Sequence, residues 1–198
     1  MHISEGILSG PVLLGGAILS AVGIGLGLKQ INTTDLPKVA ILSSGFFVAS
    51  LIHIPVGPTS AHLLLNGLIG LILGFKAFPA IFVALLFQAL LFQFGGLTTL
   101  GVNTFNMATP AVLSYYLFRN LLKRKSNTSV FLGGTLGGGL SVLGGVLLTC
   151  FALLETEKKF WAVAMTFLTM HLPLTILEAL ITGFILTYLK KVKPEVLK

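Results

Sequence analysis

Long apolar runs alternate with short polar or proline-marked breaks along the whole chain. Each run is close to the ~20 residues that carry a helix across ~30 Å of hydrocarbon. Read with that period, spans fall near residues 7–28, 39–56, 60–75, 80–97, 107–122, 130–154 and 161–189, seven in all. The third and fifth are short. The last is long and contains Pro173, which predicts a kinked helix or a helix preceded by a re-entrant piece. Strict alternation with period two, the mark of a membrane β-barrel, is not sustained anywhere. The pattern predicts an all-α, polytopic membrane helical bundle of about seven transmembrane helices, folded as a single domain over residues 1–198.

Composition strengthens this picture. Apolar residues make up 55% of the chain and charged residues 10%, with a mean hydropathy of +0.97. A soluble domain carries roughly a quarter of its residues as charges, so lipid is the main solvent here. The net charge of +7 does not point to nucleic acid, because the basic residues lie in short clusters at the ends of the apolar runs. Cys150 is the single cysteine, so neither a disulfide nor a thiolate metal cluster can form within one chain. The first apolar run is read as a retained helix, not a secretory signal: Glu5 precedes it, no Lys or Arg does, and it is longer than a typical signal core.

Positive charge then orients the bundle. With the amino terminus outside, Lys29, Lys38, Lys76, Arg119, Lys123, Arg124, Lys125, Lys190, Lys191, Lys193 and Lys198 fall on the cytoplasmic side. Only Lys158 and Lys159 fall outside. All four histidines then belong to the outer side or outer half: His2 at the terminus, His53 near the end of the second span, His62 in the first turn of the third, and His171 about ten residues into the last. An imidazole left unpaired near hydrocarbon is costly, so this one-sided placement suggests a polar site approached from outside. The alternative is that each histidine caps a helix or hydrogen-bonds a neighbour. Residues 95–106, GGLTTLGVNTFN, read as an outer loop too apolar to be an ordinary connector. The loop is expected to fold back into the bundle, with Asn103 and Asn106 steadying ligands from behind.

Met1 and His2 carry specific chemistry. A free terminal amine, the amide nitrogen of residue two and the Nδ1 of its imidazole chelate one metal through adjacent five- and six-membered rings. A fourth nitrogen, for which His62 is the best candidate, completes a square plane suited to Ni(II) or Cu(II), and to Co(II) with distortion. The amine holds its proton loosely, with a reference pKa of ~7.7–8.0. Deprotonating the amide requires a strongly polarising metal, which filters out Mg²⁺ and Ca²⁺.

Four segments, MHISEGILS, HIPVGPTSAHLLLNGLIGLILG, GGLTTLGVNTFNMATPA and HLPLTILEALITGF, occur in that order and span nearly the whole chain. Together they resemble the CbiM/NikM family, the substrate-binding S components of energy-coupling-factor (ECF) ABC transporters for cobalt and nickel. The resemblance implies seven helices, an external amino terminus folded into the bundle, and Ni²⁺ or Co²⁺ held by the terminal amine, a histidine at position two and a histidine of the third helix. These map onto Met1, His2 and His62. His53, Ser60, Asn103, Asn106 and His171 are expected to support the ligands or line the ion's way in. The resemblance also implies partners: a transmembrane coupling (T) subunit, two ATP-binding cassette ATPases and a small accessory membrane subunit.

Further expectations concern what this chain does by itself. It contains no G-x-x-x-x-G-K-[ST], so it is not expected to hydrolyse ATP, and no organic cofactor is expected. Ala17, Ala21 and Gly25 in the first span, and Gly133 with Gly137 in the sixth, form small-residue stripes that suit either partner docking or packing within the monomer. A self-sufficient channel or ion-coupled carrier is the alternative function, but the inner half offers little polar lining beyond Glu178. An enzyme is disfavoured, because no H-E-x-x-H is present and no nucleophile motif surrounds Ser60 or Ser114. The expected location is the cytoplasmic membrane, with the metal site facing outside.

Overall fold

The computed structural model describes residues 2–197 except 52, 57 and 58, and side chains except those of residues 52–61. Its long elements are α1 (Gly10–Leu28), α2 (Leu36–Ala49), α3 (Asn66–Leu73), α4 (Ala77–Phe92), α5 (Leu100–Leu122), α6 (Asn127–Thr156) and α7 (Trp161–Val192). Between α2 and α3 lies a small antiparallel hairpin, β1 (His53–Val56) and β2 (Thr59–His62), whose register pairs His53 with His62. The outward faces are apolar: Leu14, Ile41, Phe151, Ile176, Phe184 and Tyr188 are all exposed. Several polar side chains, among them Ser20, Asn66, Gln88, Thr149 and Glu178, are buried inside. That inversion is what a bundle solvated by lipid requires.

The expected seven spans are corrected in three places. First, α3 and α4 follow one another in a single helical stretch, 66–92, that reverses direction at the 3-10 turn Gly74–Lys76, where Gly74 takes φ +57°. α3 passes from the level of Met107 to that of Tyr115 on α5, and α4 returns to Gly95 beside His2, so the described residues hold six helical stretches. By length and apolar composition alone, four of these could cross a membrane: Gly10–Leu28, Asn66–Phe92, Asn127–Thr156 and Lys158–Val192. Second, His62 ends β2 and does not sit in the first turn of a helix; α3 starts at Asn66 and has eight residues. At 1.5 Å per residue it is about 12 Å long, too short to cross. Likewise, residues 53–56 are strand and not the end of the second span. Third, Leu100–Asn106 form the first two turns of α5, leaving only residues up to Thr99 as loop. Asn103 and Asn106, three apart, share a face that the bundle buries, which is why a polar stretch could still be helical. Pro173 lies inside a continuous α7, with no separate re-entrant piece before it.

Close helix contact depends on glycine. On α3, a Cβ at Gly67 would lie 2.6 Å from the Gly138 backbone, and one at Gly70 would collide with the Ala111 carbonyl. These two absences let α3 lie wedged between α5 and α6. Asn66 locks its start: Nδ2 donates to the carbonyls of Met107 and Ser141, both at 3.2 Å, while Oδ1 accepts the Gly67 N–H at 3.0 Å. Gly133 and Gly137 face Leu121 and Leu71, so that stripe packs within the chain. On α1 the buried small residues are Gly16, Ser20, Gly23 and Gly27, while Ala17 and Ala21 stay exposed.

Candidate metal site

The amino-terminal segment before α1 is threaded into the bundle. His2 is 3% exposed and Ile3 is fully buried. Ile3 and Leu8 pack with Val102, Ala152 and Leu153, so apolar burial draws the segment in. Polar pairing then sets its register. The Ile3 N–H donates to Asn103 Oδ1 (2.9 Å), Asn103 Nδ2 donates back to the Ile3 carbonyl (3.1 Å), and Thr99 Oγ1 donates to the same carbonyl (2.9 Å). One side-chain amide thus satisfies both backbone groups of Ile3 as a neighbouring strand would. Further along, the Glu5 N–H donates to the Gly95 carbonyl at 3.2 Å, and the Glu5 carboxylate accepts from Thr98.

Gly95 and Gly96 make room for this threading. Gly95 has φ +78°, and a Cβ there would lie 3.1 Å from Asn103 Nδ2 and 3.5 Å from the His2 Cβ. At Gly96 a Cβ would strike the Glu5 carboxylate. The glycine pair expected to mark an unusual loop is therefore the seat of the amino-terminal segment.

At the inner end of that segment two imidazoles meet. His62 Nε2 is 3.1 Å from His2 Nδ1, and the rings stack with centroids 4.7 Å apart and planes 23° from parallel. On its other side, His62 Nδ1 lies 2.8 Å from the Leu63 carbonyl. A carbonyl can only accept, so Nδ1 of His62 carries a proton and Nε2 presents its lone pair toward His2. Burial holds the His62 imidazole well below its usual pKa, with the nearby His2 and His171 rings adding to the effect. A neutral imidazole with a lone pair aimed at a second imidazole nitrogen is the protonation state a transition metal needs.

The remaining expected residues divide. His171 is fully buried on α7, with its ring against Phe167 at 4.0 Å and Nδ1 donating to the Phe167 carbonyl at 2.8 Å. Its Nε2 has no hydrogen-bond partner among the described residues. Asn106 is tied elsewhere: its Nδ2 donates to Thr149 Oγ1 at 3.4 Å, joining α5 to α6. Met1 and the side chains of His53 and Ser60 lie outside the described residues. Among the described residues, no three His, Cys, Asp or Glu side chains come together as a metal-holding group. Among the described residues, two imidazoles converge.

One contributor escaped the sequence reading: Thr99, which nothing in its local pattern marks. Glu178, singled out in the sequence as the one acid deep in the last apolar run, is paired with backbone: its carboxylate accepts from the Leu64 and Leu65 N–H groups, with Leu65 N–H 3.0 Å from Oε2. Leu65 has φ +52°, a left-handed conformation that costs a residue with a Cβ roughly 1–2 kcal/mol, and the shared carboxylate offsets that cost.

Known proteins resemble this chain along its whole length. A chain of Haemophilus influenzae named for metal transport is 42% identical over all of this chain and 97% of its own length. A cobalt transport protein, CbiM, of Kyrpidia tusciae is 34% identical over all of this chain and 86% of its own. The crystal structure of a truncated transition metal transporter superposes with a TM-score of 0.83 at 28% identity, covering 97% of this chain and 99% of that one. The chain is related to cobalt and nickel transport proteins, and it belongs to the CbiM family, the cobalt uptake substrate-specific transmembrane region, which matches residues 2–196.

Proposed function

We propose that this chain is the metal-capturing S component of an ECF-type ABC transporter and takes Ni²⁺ or Co²⁺ as its substrate. The observation that carries the reading is the 3.1 Å approach of His2 Nδ1 to His62 Nε2. With metal–imidazole bonds of about 2.0–2.1 Å, adjacent corners of a square-planar site stand about 2.8–3.0 Å apart. The observed separation is within tenths of an ångström of that spacing, so turning the rings brings both nitrogens onto one ion without a change in the fold. The other two corners are the Met1 amine and the His2 amide nitrogen. The chelate ends at residue two, because the Ile3 N–H is already committed to Asn103. In the metal-free protein a proton shared between the imidazole nitrogens balances the pair; a metal ion displaces it, so capture releases protons.

The bundle is one integral membrane domain with the amino terminus and this site facing outside, oriented by the lysine and arginine excess on the opposite side. ATP-driven uptake is supplied by a transmembrane coupling subunit, two ATPases and a small accessory membrane protein. Release follows when those partners distort the bundle and break the plane of nitrogens. The test is metal content after purification. His2→Ala, or one extra residue before Met1, abolishes stoichiometric nickel and cobalt; retention of metal by both variants refutes the proposal.

A further inference from the structure

Glu178 is placed to act on His62, although the two side chains do not touch. The carboxylate accepts the N–H of Leu64, and His62 Nδ1 donates to the carbonyl of Leu63 at 2.8 Å. That carbonyl and that N–H belong to one peptide group. The group is planar and trans, so its oxygen and its hydrogen point to opposite sides. An unbroken line therefore runs from the Glu178 carboxylate, through the Leu63–Leu64 peptide, to the His62 ring, and leaves the ring at Nε2 toward His2 Nδ1.

We propose that Glu178 is the positioning residue of the metal site, a carboxylate that orients His62 and strengthens Nε2 as a donor through a single peptide group. Metal-bound histidines usually pass their second ring proton to a carboxylate or a carbonyl, which fixes the tautomer and raises basicity. Here the two devices are joined in series. A negative charge on the N–H side of the peptide polarises its carbonyl, which makes it a better acceptor for the His62 Nδ1 proton. A helix cap alone does not account for the contacts. The Ile69 N–H already reaches the Leu65 carbonyl, so the N–H groups of α3 without a partner inside the helix run from the cap residue Leu65 to Leu68; the Leu65 bond caps the helix, whereas the Leu64 bond lies one peptide beyond what the helix end requires. The second bond, to Leu65 at 3.0 Å, holds the left-handed turn that aims the peptide at the ring. Because Glu178 rides on α7 and His62 on β2, the relay also makes the ligand field of the ion sensitive to any shift of α7.

The inference rests on the reading that His62 Nε2 binds the ion, and the experiment separates the two. Nickel affinity is measured by calorimetry on purified wild type, Glu178→Gln, His62→Ala and the double variant. Gln keeps the shape and can still accept the Leu64 N–H, but it lacks the charge. The expected result is about a 10–100-fold loss of affinity in Glu178→Gln, with the visible absorption of the bound metal shifted toward that of His62→Ala. No further loss is expected when Glu178→Gln is added to His62→Ala. Wild-type affinity in Glu178→Gln, or an equal loss in both backgrounds, overturns the relay and leaves the proposed function standing. Absence of both nickel and cobalt binding in wild type, or full binding by His62→Ala, overturns the function and the relay together. Should Glu178→Gln fail to fold, ¹⁵N-histidine spectra of the metal-free wild type decide the matter. A proton on Nδ1 of His62, assigned by difference from His62→Ala, supports the relay, and a proton on Nε2 overturns it.

Discussion

Asn103→Ala tests how the amino-terminal segment is held. The side-chain amide makes two bonds to buried Ile3, at 2.9 and 3.1 Å, and a third to Thr99 at 3.2 Å. Truncation leaves the Ile3 N–H buried without an acceptor, which costs about 1–3 kcal/mol. The Ile3 carbonyl loses one of its two donors but keeps Thr99 Oγ1, so its share is smaller. The total is about 2–3 kcal/mol against docking, or roughly 30–150-fold in the ratio of docked to undocked segment. Ile3 and Leu8 still bury their side chains, at about 1.5–3 kcal/mol each, so part of the docked population survives. Apparent metal affinity scales with that population, which makes the 30–150-fold figure an upper bound on the loss. Nickel titration by calorimetry reads it directly. Hydrogen exchange at the Ile3 amide reports docking in the absence of metal, and it should speed up by a similar factor. Metal affinity within twofold of wild type, with exchange at Ile3 clearly faster, would show that docking of this segment does not govern metal capture.

Three further outcomes are expected. Gly95→Ala meets both a positive φ and the Asn103 amide, and should weaken nickel binding with a loss of roughly 1–2 kcal/mol in stability, read as a lower melting temperature in detergent. For pH, burial lowers the His62 pKa from 6.5 in the folded protein, so the unfolded chain takes up its proton first as pH falls. The resulting contribution to stability is complete above about 6.5 and is lost below it; metal-free melting temperature should drop over that range, and His62→Ala should flatten the drop. Lys159→Cys, at the turn between α6 and α7, should react with a membrane-impermeant thiol reagent from outside intact cells, whereas Lys125→Cys should not; the opposite pattern rejects the orientation.

The gaps in the sequence reading have a common origin. Hydropathy counts lipid-compatible length, and it made a span of residues 60–75 because it does not register that Gly67 and Gly70 allow an eight-residue helix to be clamped between two neighbours. It made residues 95–106 a loop because asparagine and threonine lower the local average, although Asn103 and Thr99 are buried partners of Ile3. His2 was legible as a donor because its chemistry is local, and His62 because of the resemblance; the structure adds that their ring nitrogens approach to 3.1 Å. Asn106 was legible as an inward polar group, but it turned out to hold α6.

By itself, the order of residues determined that this chain is built of apolar helices, that its charges gather at their ends, and that its first residues offer nitrogens spaced as a chelate would need. Those are local properties, set by which side chains stand within a turn or a span of one another. Tertiary structure alone decided that His2 meets His62 across sixty positions, and that Glu178 reaches the Leu63–Leu64 peptide from more than a hundred away. Such meetings depend on which helix faces close to contact distance. The small residues that permit the approach leave no periodic trace of the partner they admit.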